Sequence, residues 1–307
     1  MTRHLASCNA RGPTAGRATE LNLCKNKTTL EGKAGMNPPT RTSSKTTTAK
    51  EKGPAHGPNT GRLLLALPVA DLRAPGGGAW KGKVNLKRSE VAEFQGEPVI
   101  KAYFKKGSGT SQHPHQDANG LAVSCQAVAG MRSCTVSFDI MFDPARWQWS
   151  KGGKIGGFFV GKGEASGGRH TPDGSSFRLM FQADGGAISY IYWPSGVPQP
   201  GVPQAGRDFG EGYHKDVFAG VFVPGRWHRV TMGIKLNSFK GNTPAGDGRA
   251  SLAIDGRVAK FDKVNWAPTP DATVASFDLA AFFGGPDPAT VDSVFYAKNF
   301  KVSELKD

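Results

Sequence analysis

The sequence contains little cysteine, little tyrosine and no long apolar segment. Among its 307 residues there are 4 cysteines and 5 tyrosines. Residues 63–67 are the nearest candidate for an apolar span, but a membrane helix needs roughly 18 apolar residues or more. No apolar segment follows Arg3 and His4, so the N-terminus does not match a secretory signal. We therefore expect no membrane span, and the localisation stays open.

The number and positions of the cysteines limit the metal sites and disulfides that they could form. Cys8 and Cys24 lie in the N-terminal segment, and the spacing of the four residues is not that of a zinc site. Cys125 and Cys134 lie in neighbouring strand-like segments, so they could form a local disulfide or remain buried thiols. Both alternatives stay open from the sequence.

Acidic residues are also scarce. The chain has 39 Lys and Arg against 25 Asp and Glu, which gives a formal net charge of +14. About half of this charge lies in the first 60 residues, and no aromatic residue precedes Trp80. Such basicity predicts an anionic partner, namely a nucleic acid, an acidic polysaccharide or an anionic membrane. Because the basic segment lacks aromatic residues and a known module, we expect no nucleic acid.

Composition divides the chain near residue 78. Residues 1–78 are rich in Thr, Ser, Lys, Gly and Pro, which bury too little apolar area to offset chain entropy. We predict that they form a disordered basic tail or linker, and that residues 79–307 form the folded domain.

From residue 79 onward the chain shows the pattern of a β-sandwich. Short apolar or alternating runs are separated by clusters of Gly, Pro, Asn and Asp, which is typical of antiparallel sheets. The predicted strands are 98–104, 121–126, 133–142, 154–160, 175–182, 187–193, 227–236, 249–254, 258–261, 276–283 and 293–302. Asp255-Gly256 between two of them predicts a hairpin. The prediction is an all-β fold with two antiparallel sheets.

One predicted hairpin, residues 174–193, groups chemically useful side chains. Because successive side chains of a strand alternate between faces, its first strand directs Ser176 and Arg178 to one face. Its second strand directs Tyr190 and Tyr192 to one face. An amphipathic hairpin with polar residues in solvent would show the same pattern.

The register of this hairpin decides whether the two polar sets share a face. The two sets share a face only when even-numbered residues of the first strand pair with even-numbered residues of the second. The numbers of each pair then add up to an even value. A three-residue loop, residues 184–186, gives that parity, and glycine suits its left-handed position. Arg178 would then pair with Tyr192, and Met180 with Tyr190.

Elimination across a uronic acid needs side chains of these types. A cation must hold the carboxylate, a base must remove the C5 proton, and an acid must protonate the departing O4. The planar guanidinium of Arg178 matches a carboxylate. A tyrosine can act as base or acid when nearby positive charge lowers its pKa from about 10.

The segments 153–157 (Gly-Lys-Ile-Gly-Gly), 176–180 (Ser-Phe-Arg-Leu-Met) and 190–192 (Tyr-Ile-Tyr) resemble polysaccharide lyase family 14, and the likeness spans most of residues 80–307. The resemblance implies a β-jelly roll with its active site in a cleft on the concave sheet, a glucuronan or alginate substrate, and no metal or other cofactor. Carried over by position, the catalytic set is Lys154, Ser176, Arg178, Tyr190 and Tyr192. Lys154 and Arg178 would hold and neutralise the carboxylate, with the tyrosines as candidates for acid and base in roles that the resemblance does not decide.

Two other functions fit parts of the pattern. A glycoside hydrolase needs two carboxylates on its catalytic strands, but the acids between residues 147 and 201 all fall in predicted loops. A non-catalytic lectin-like module could bind an acidic cell-wall polysaccharide, although binding alone does not require the tyrosine pair. We expect a monomer with an acidic polysaccharide partner.

Several histidines are weaker candidates. His113, His115 and Asp117 could hold a metal, but their Gly/Ser-rich context favours an ordinary loop, and no metal site is predicted. His115 could instead border the cleft and contact substrate, and His214 permits the same interpretation.

Overall fold

The computed structural model describes residues 60–81, 84–85, 88–109, 121–149, 152–163, 165–202, 210–284 and 288–306. These residues form two large antiparallel sheets and one small hairpin. In chain order the strands are β1 (Thr60–Leu67), β2 (Val84–Asn85), β3 (Ser89–Phe94), β4 (Glu97–Phe104), β5 (Ala122–Cys125), β6 (Ser133–Phe142), β7 (Gly153–Gly161), β8 (Gly174–Phe181), β9 (Ala187–Tyr192), β10 (Glu211–Tyr213), β11 (His228–Lys235), β12 (Phe239–Lys240), β13 (Thr243–Pro244), β14 (Gly248–Ile254), β15 (Arg257–Val264), β16 (Val274–Phe283) and β17 (Ser293–Leu305).

The strands are distributed between an eight-stranded and a seven-stranded sheet. The eight-stranded sheet has the order β15-β14-β11-β6-β17-β4-β3, with β1 also paired to β17. The seven-stranded sheet has the order β10-β9-β8-β7-β16-β5-β2. Neighbours such as β6 and β17, or β7 and β16, are far apart in sequence, which is the long-range connectivity of a jelly roll. The predicted all-β, two-sheet jelly roll is confirmed.

Aromatic side chains fill the space between the sheets. Phe138 of the eight-stranded sheet and Phe277 of the seven-stranded sheet have ring centroids 5.8 Å apart, and Phe138 also stacks on Phe300 at 5.3 Å. Each of these rings is at most 2% exposed. Full burial of such a side chain contributes about 1.5–3 kcal/mol. The alternating apolar residues of the predicted strands therefore form the core that fixes the sandwich.

All eleven strands predicted from the sequence are present. Their ends lie within three residues of the prediction, as expected for boundaries set by local hydrogen bonding. The additional strands are short or lie at sheet edges, where alternation is weaker. Three short 3-10 helices also occur in the described part, at Val69–Arg73, Pro75–Trp80 and Gln126–Val128. No helix among these residues is long and apolar enough to cross a membrane.

The folded domain begins earlier than the composition suggested. β1 pairs with β17 from Thr60 to Leu67, and Leu67, Val69 and Leu72 are buried in the main core. The predicted boundary at residue 78 is therefore wrong for residues 60–78, because their leucines bury apolar area against β17. The predicted tail over residues 1–59 lies outside the described residues.

Cys125 and Cys134 are free thiols on different sheets. Cys125 ends β5 and Cys134 lies in β6, and both are fully buried. Burial raises the pKa of Cys125 to about 11 and that of Cys134 to about 12. Of the two alternatives left open by the sequence, the structure shows the buried thiols.

Candidate active site

The seven-stranded sheet carries polar side chains on its outer face, which is the face turned away from the core. Here side chains from neighbouring strands lie in three rows that cross the sheet. The central row consists of Ser124, Asp278, Gly157, Arg178, Tyr190 and Gly212. One flanking row consists of Phe282, Lys154, Met180 and Ile188, and the other of Ser276, Phe159, Ser176 and Tyr192. All five residues of the predicted catalytic set thus lie on one face, in adjacent rows.

The hairpin of β8 and β9 confirms the shared face but not the predicted partners. Arg178 pairs with Tyr190 and Ser176 with Tyr192, two residues away from the predicted register. The loop has three residues, as predicted, but it consists of residues 183–185, because the N–H of Gln182 donates to the carbonyl of Gly186 at 2.9 Å. The sum of paired numbers stays even, so arginine and tyrosines share a face.

Lys154 reaches the outer face through a β-bulge. The pairing of β7 with β8 shifts between Lys154 and Gly156, which leaves Ile155 as an extra residue. Ile155 points into the core and is fully buried. With uninterrupted alternation Lys154 would share a face with Phe158, which is a core residue. The bulge therefore places the lysine beside Arg178.

Gly157 lies between Arg178 and Asp278 in the central row. Its φ of +153° and its close approach to β8 both require glycine, because a Cβ atom would lie 2.0 Å from the carbonyl oxygen of Phe177. Glycine at this position therefore lets β7 and β8 approach closely beside Arg178.

Lys154 is buried in a mostly aromatic environment. Its side chain is nearly inaccessible, at 7% exposure for the residue, and Nζ contacts the Ser166 hydroxyl at 3.2 Å. Nζ also lies 5.3 Å from the ring centroid of Tyr190 and 5.6 Å from that of Tyr192. Burial, assisted by the positive charge of Arg178, lowers the pKa of Lys154 to about 7. The lysine can thus lose and regain a proton near neutral pH.

Arg178 is buried against an aromatic ring. The residue is 3% exposed, and its Cζ atom lies 4.9 Å from the centroid of the Phe159 ring. This is the distance of a cation–π contact, which also fixes the plane of the guanidinium. Arg178 therefore presents a cation of fixed orientation in the central row, between Gly157 and Tyr190.

The two tyrosines form an edge-to-face pair. Their ring centroids are 5.6 Å apart, with an interplanar angle of 79°. Burial, reinforced by the hydrogen bond with Tyr192, raises the pKa of Tyr190 well above its usual value. The expected lowering of a tyrosine pKa by positive charge is therefore not seen at Tyr190, because desolvation raises its pKa. Its phenol stays protonated at neutral pH.

A loop after β7, residues 165–170, covers this set of side chains; we call it the covering loop. Ser176 Oγ donates to the carbonyl of Ala165 at 2.7 Å, and the N–H of Gly168 donates to the Tyr192 hydroxyl at 3.0 Å. The contact between Ser166 and Lys154 is the third such hydrogen bond.

The covering loop was not predicted from the sequence. Its composition, Ala-Ser-Gly-Gly-Arg-His, is that of any surface loop, and only the fold places it above β8 and β9. Its last residue, His170, is exposed, and its ring lies 5.1 Å from that of Tyr192. It therefore lies at the rim of the site.

His214, which was predicted as a substrate contact, does not join this set. His214 contacts the Ser189 hydroxyl at 3.3 Å and its ring lies 4.5 Å from that of Phe261, a residue of the main core. Since Ser189 and Tyr190 are neighbours on β9, the histidine lies on the opposite face from the tyrosine. His115 lies outside the described residues, together with the His113–Asp117 segment. Among the residues that the structure does describe, no three His, Cys, Asp or Glu side chains are grouped as metal ligands.

The fold and the site define a class of protein: a β-jelly roll whose outer sheet face combines a lysine and an arginine with two tyrosines. The family model described as polysaccharide lyase 14 matches residues 92–300, which is more than half of the chain. The chain belongs to the polysaccharide lyase 14 family, and it is a polysaccharide lyase.

Solved structures agree with this assignment. An alginate lyase from a Chlorella virus is 33% identical, with a TM-score of 0.73 over 79% of this chain and 100% of the viral one. An alginate lyase from Aplysia kurodai is 22% identical, with a TM-score of 0.56 over 73% of this chain and 87% of that one. The alginate lyase Aly36B is 20% identical, with a TM-score of 0.58 over 82% and 100% of the respective chains. The latter two share the fold. No curated protein sequence matches the chain significantly.

Proposed function

We propose that this lyase cleaves a 1,4-linked polyuronate, glucuronan or alginate, by β-elimination, and that Lys154, Ser176, Arg178, Tyr190 and Tyr192 carry out the reaction. One observation supports this proposal above all. Lys154 Nζ lies within 5.6 Å of both tyrosine ring centroids, and Arg178 lies on the same face in the adjacent row. A proton acceptor, proton donors and a carboxylate-binding cation thus lie together beneath the covering loop.

Arg178 binds the carboxylate of the uronate that reacts. Its planar fork matches the two carboxylate oxygens, and burial strengthens the interaction. When the C5 proton leaves, negative charge develops on that carboxylate, so the interaction is stronger in the transition state than in the ground state. This difference lowers the barrier to proton removal.

Lys154 removes the C5 proton. With a pKa of about 7, a large fraction of its side chain is the neutral amine at neutral pH, as a general base requires. The sequence resemblance had implied that Lys154 holds the carboxylate together with Arg178. Its lowered pKa favours proton transfer instead, while Arg178 remains cationic.

Tyr190 or Tyr192 protonates the departing oxygen. The C5–H and C4–O4 bonds break, the C4–C5 double bond forms, and O4 receives a proton from a phenol. The raised pKa of Tyr190 keeps that phenol protonated until charge appears on O4. Ser176 orients the covering loop through Ala165 and contacts substrate when the loop moves.

An absorbance assay tests this proposal. Purified protein is mixed with glucuronan, polymannuronate, polyguluronate or a neutral glucan, each with and without chelator. Elimination leaves a double bond conjugated to the carboxylate, which absorbs in the ultraviolet, whereas hydrolysis leaves none. A chelator-resistant rise with one uronan supports the proposal and names the substrate. Binding without any rise would instead support the lectin-like function.

We also propose that the enzyme acts as a monomer, because all five residues of the set come from one chain. Light scattering of the active protein tests this. An active form found only as a dimer would contradict it.

A further inference from the structure

A cavity lies on the outer face next to the proposed catalytic set. It has a volume of about 480 Å³ and lies between β5, β7 and β16, within the range of about 300–1,000 Å³ typical of small-molecule sites. Its polar lining residues are Ser124, Gln126, Ser276 and Asp278. Phe159 also lines it, and the Arg178 guanidinium lies over the same ring. The Phe159 ring therefore separates the cavity from Arg178.

Asp278 occupies a defined position relative to Arg178. Both belong to the central row, with only Gly157 between them. Since neighbouring strands are separated by about 4.8 Å, the two residues stand roughly 10 Å apart along a line across the strands. A polymer that lies along this row with one uronate at Arg178 places another of its sugars at Asp278.

One oxygen of the Asp278 carboxylate is buried without a hydrogen bond. Its Oδ1 atom is inaccessible to solvent and has no hydrogen-bond partner among the residues that the structure describes. Buried polar atoms in native proteins usually have a partner, and exceptions often mark functional positions. On the other side of the row, Ser124 is the cross-strand neighbour of Asp278 and supplies a hydroxyl to the same cavity.

We propose that Asp278, together with Ser124, forms a sugar subsite that recognises ring hydroxyls of a uronate near the one that reacts. This inference rests on the proposed function. A carboxylate accepts hydrogen bonds from hydroxyls and repels another carboxylate. The subsite therefore admits a sugar whose carboxylate points away from the sheet.

Arg178 and Asp278 thereby contact two sugars of one polymer chain, Arg178 through a carboxylate and Asp278 through ring hydroxyls. Together they set the register of the chain on the sheet.

The experiment compares cleavage of uronan oligomers of increasing length by wild type, Asp278→Ala and Asp278→Asn. The measured quantity is the ratio of kcat/KM on a hexamer to that on the shortest cleaved oligomer. A hydrogen bond to a charged acceptor accounts for roughly 10- to 100-fold in binding. We expect the ratio to fall by about that factor in Asp278→Ala. Asp262→Asn, which removes an exposed carboxylate from β15 of the other sheet, is the matched control and should leave the ratio unchanged.

Thermal unfolding of the same variants separates binding from folding. Because Oδ1 of Asp278 lacks a partner, Asp278→Asn should unfold at the same or a higher temperature than wild type, while its length ratio falls. A ratio that stays at the wild-type value in both variants would overturn the subsite, and so would an equal loss at every length. If wild type forms no unsaturated product from any uronan, the proposed function itself fails, which is a separate outcome.

Discussion

Lys154 places its Nζ 5.3 Å from the ring centroid of Tyr190, although the two residues belong to strands β7 and β9, which do not pair with each other. The intervening strand β8 contributes Arg178, the cross-strand partner of Tyr190. The lysine reaches over this strand because the bulge at Ile155 turns it to the outer face. This relationship has consequences for activity, pH dependence and stability.

Replacement of Arg178 should affect catalysis more than binding. We expect Arg178→Ala to lower kcat by about 100- to 1,000-fold, because the guanidinium meets charge that develops in the transition state. Arg178→Lys should recover little, since an ammonium lacks the planar fork. Steady-state kinetics on the preferred uronan checks this, with Arg62→Ala, an exposed arginine of β1, as control. A variant with raised KM and wild-type kcat would show that Arg178 only binds.

The pH profile should report the ionisation of Lys154. In the proposed mechanism the neutral amine of Lys154, whose pKa is about 7, is the active form. The value of kcat/KM should therefore rise with pH below about 7 and level off above it. Lys154→Arg should abolish the rise together with nearly all activity, because arginine does not deprotonate. Initial rates across this range provide the measurement. A profile that is flat from acid to alkaline pH would remove Lys154 from proton transfer.

Lys154 should also reduce stability at neutral pH. Its folded pKa of about 7 lies below the ordinary lysine pKa of 10.5, so between these pH values the unfolded chain binds more protons and stability increases with pH. Lys154→Met removes this penalty, which is on the order of a few kcal/mol. We expect the variant to have a higher Tm than wild type near pH 6, and the gap to narrow towards pH ~10. A pH-independent gap would point to packing instead.

The tyrosines should contribute through their hydroxyls. Tyr190→Phe and Tyr192→Phe each keep the ring that packs near Lys154 but remove the proton donor, and general acid catalysis typically contributes about 100- to 10,000-fold. The larger loss of kcat identifies the acid. Tyr103→Phe, on β4 of the other sheet, is the control. A Tyr192→Phe variant with full activity would exclude Tyr192 from the acid/base roles.

The covering loop should move when substrate binds. Arg178, Ser176 and Tyr192 are each at most 3% exposed beneath it, so a polymer cannot reach them unless residues 165–170 are displaced. Hydrogen exchange measured by mass spectrometry on Arg178→Ala, with and without uronan, tests this. We expect exchange in the loop to change on binding, while the β8–β9 hairpin loop, residues 183–185, stays constant. Identical exchange in both states would mean that substrate does not displace the loop.

Much of the fold followed from local patterns in the sequence. Alternation of apolar residues predicted all eleven principal strands, because each strand must turn one face to the core. Parity and a three-residue loop placed Arg178 and Tyr190 on one face. The predicted register of the β8–β9 hairpin differs from the observed one by two residues. A shift of two residues keeps every side chain on the same face, so the alternation of apolar and polar residues does not distinguish the two registers. The start of the domain was also missed, since β1 is stabilised by contacts with β17, more than 200 residues away.

The site was predictable as a set of residues but not as an arrangement. The sequence alone determined which side chains were available and which of them share a strand face, because side-chain direction follows from strand periodicity. Only the tertiary structure decided that a bulge turns Lys154 outward, that burial lowers its pKa, and that Asp278 lies in the row of Arg178. Strand order, bulges and desolvation depend on contacts between distant segments, and a local pattern carries no information about which distant segment will be the neighbour.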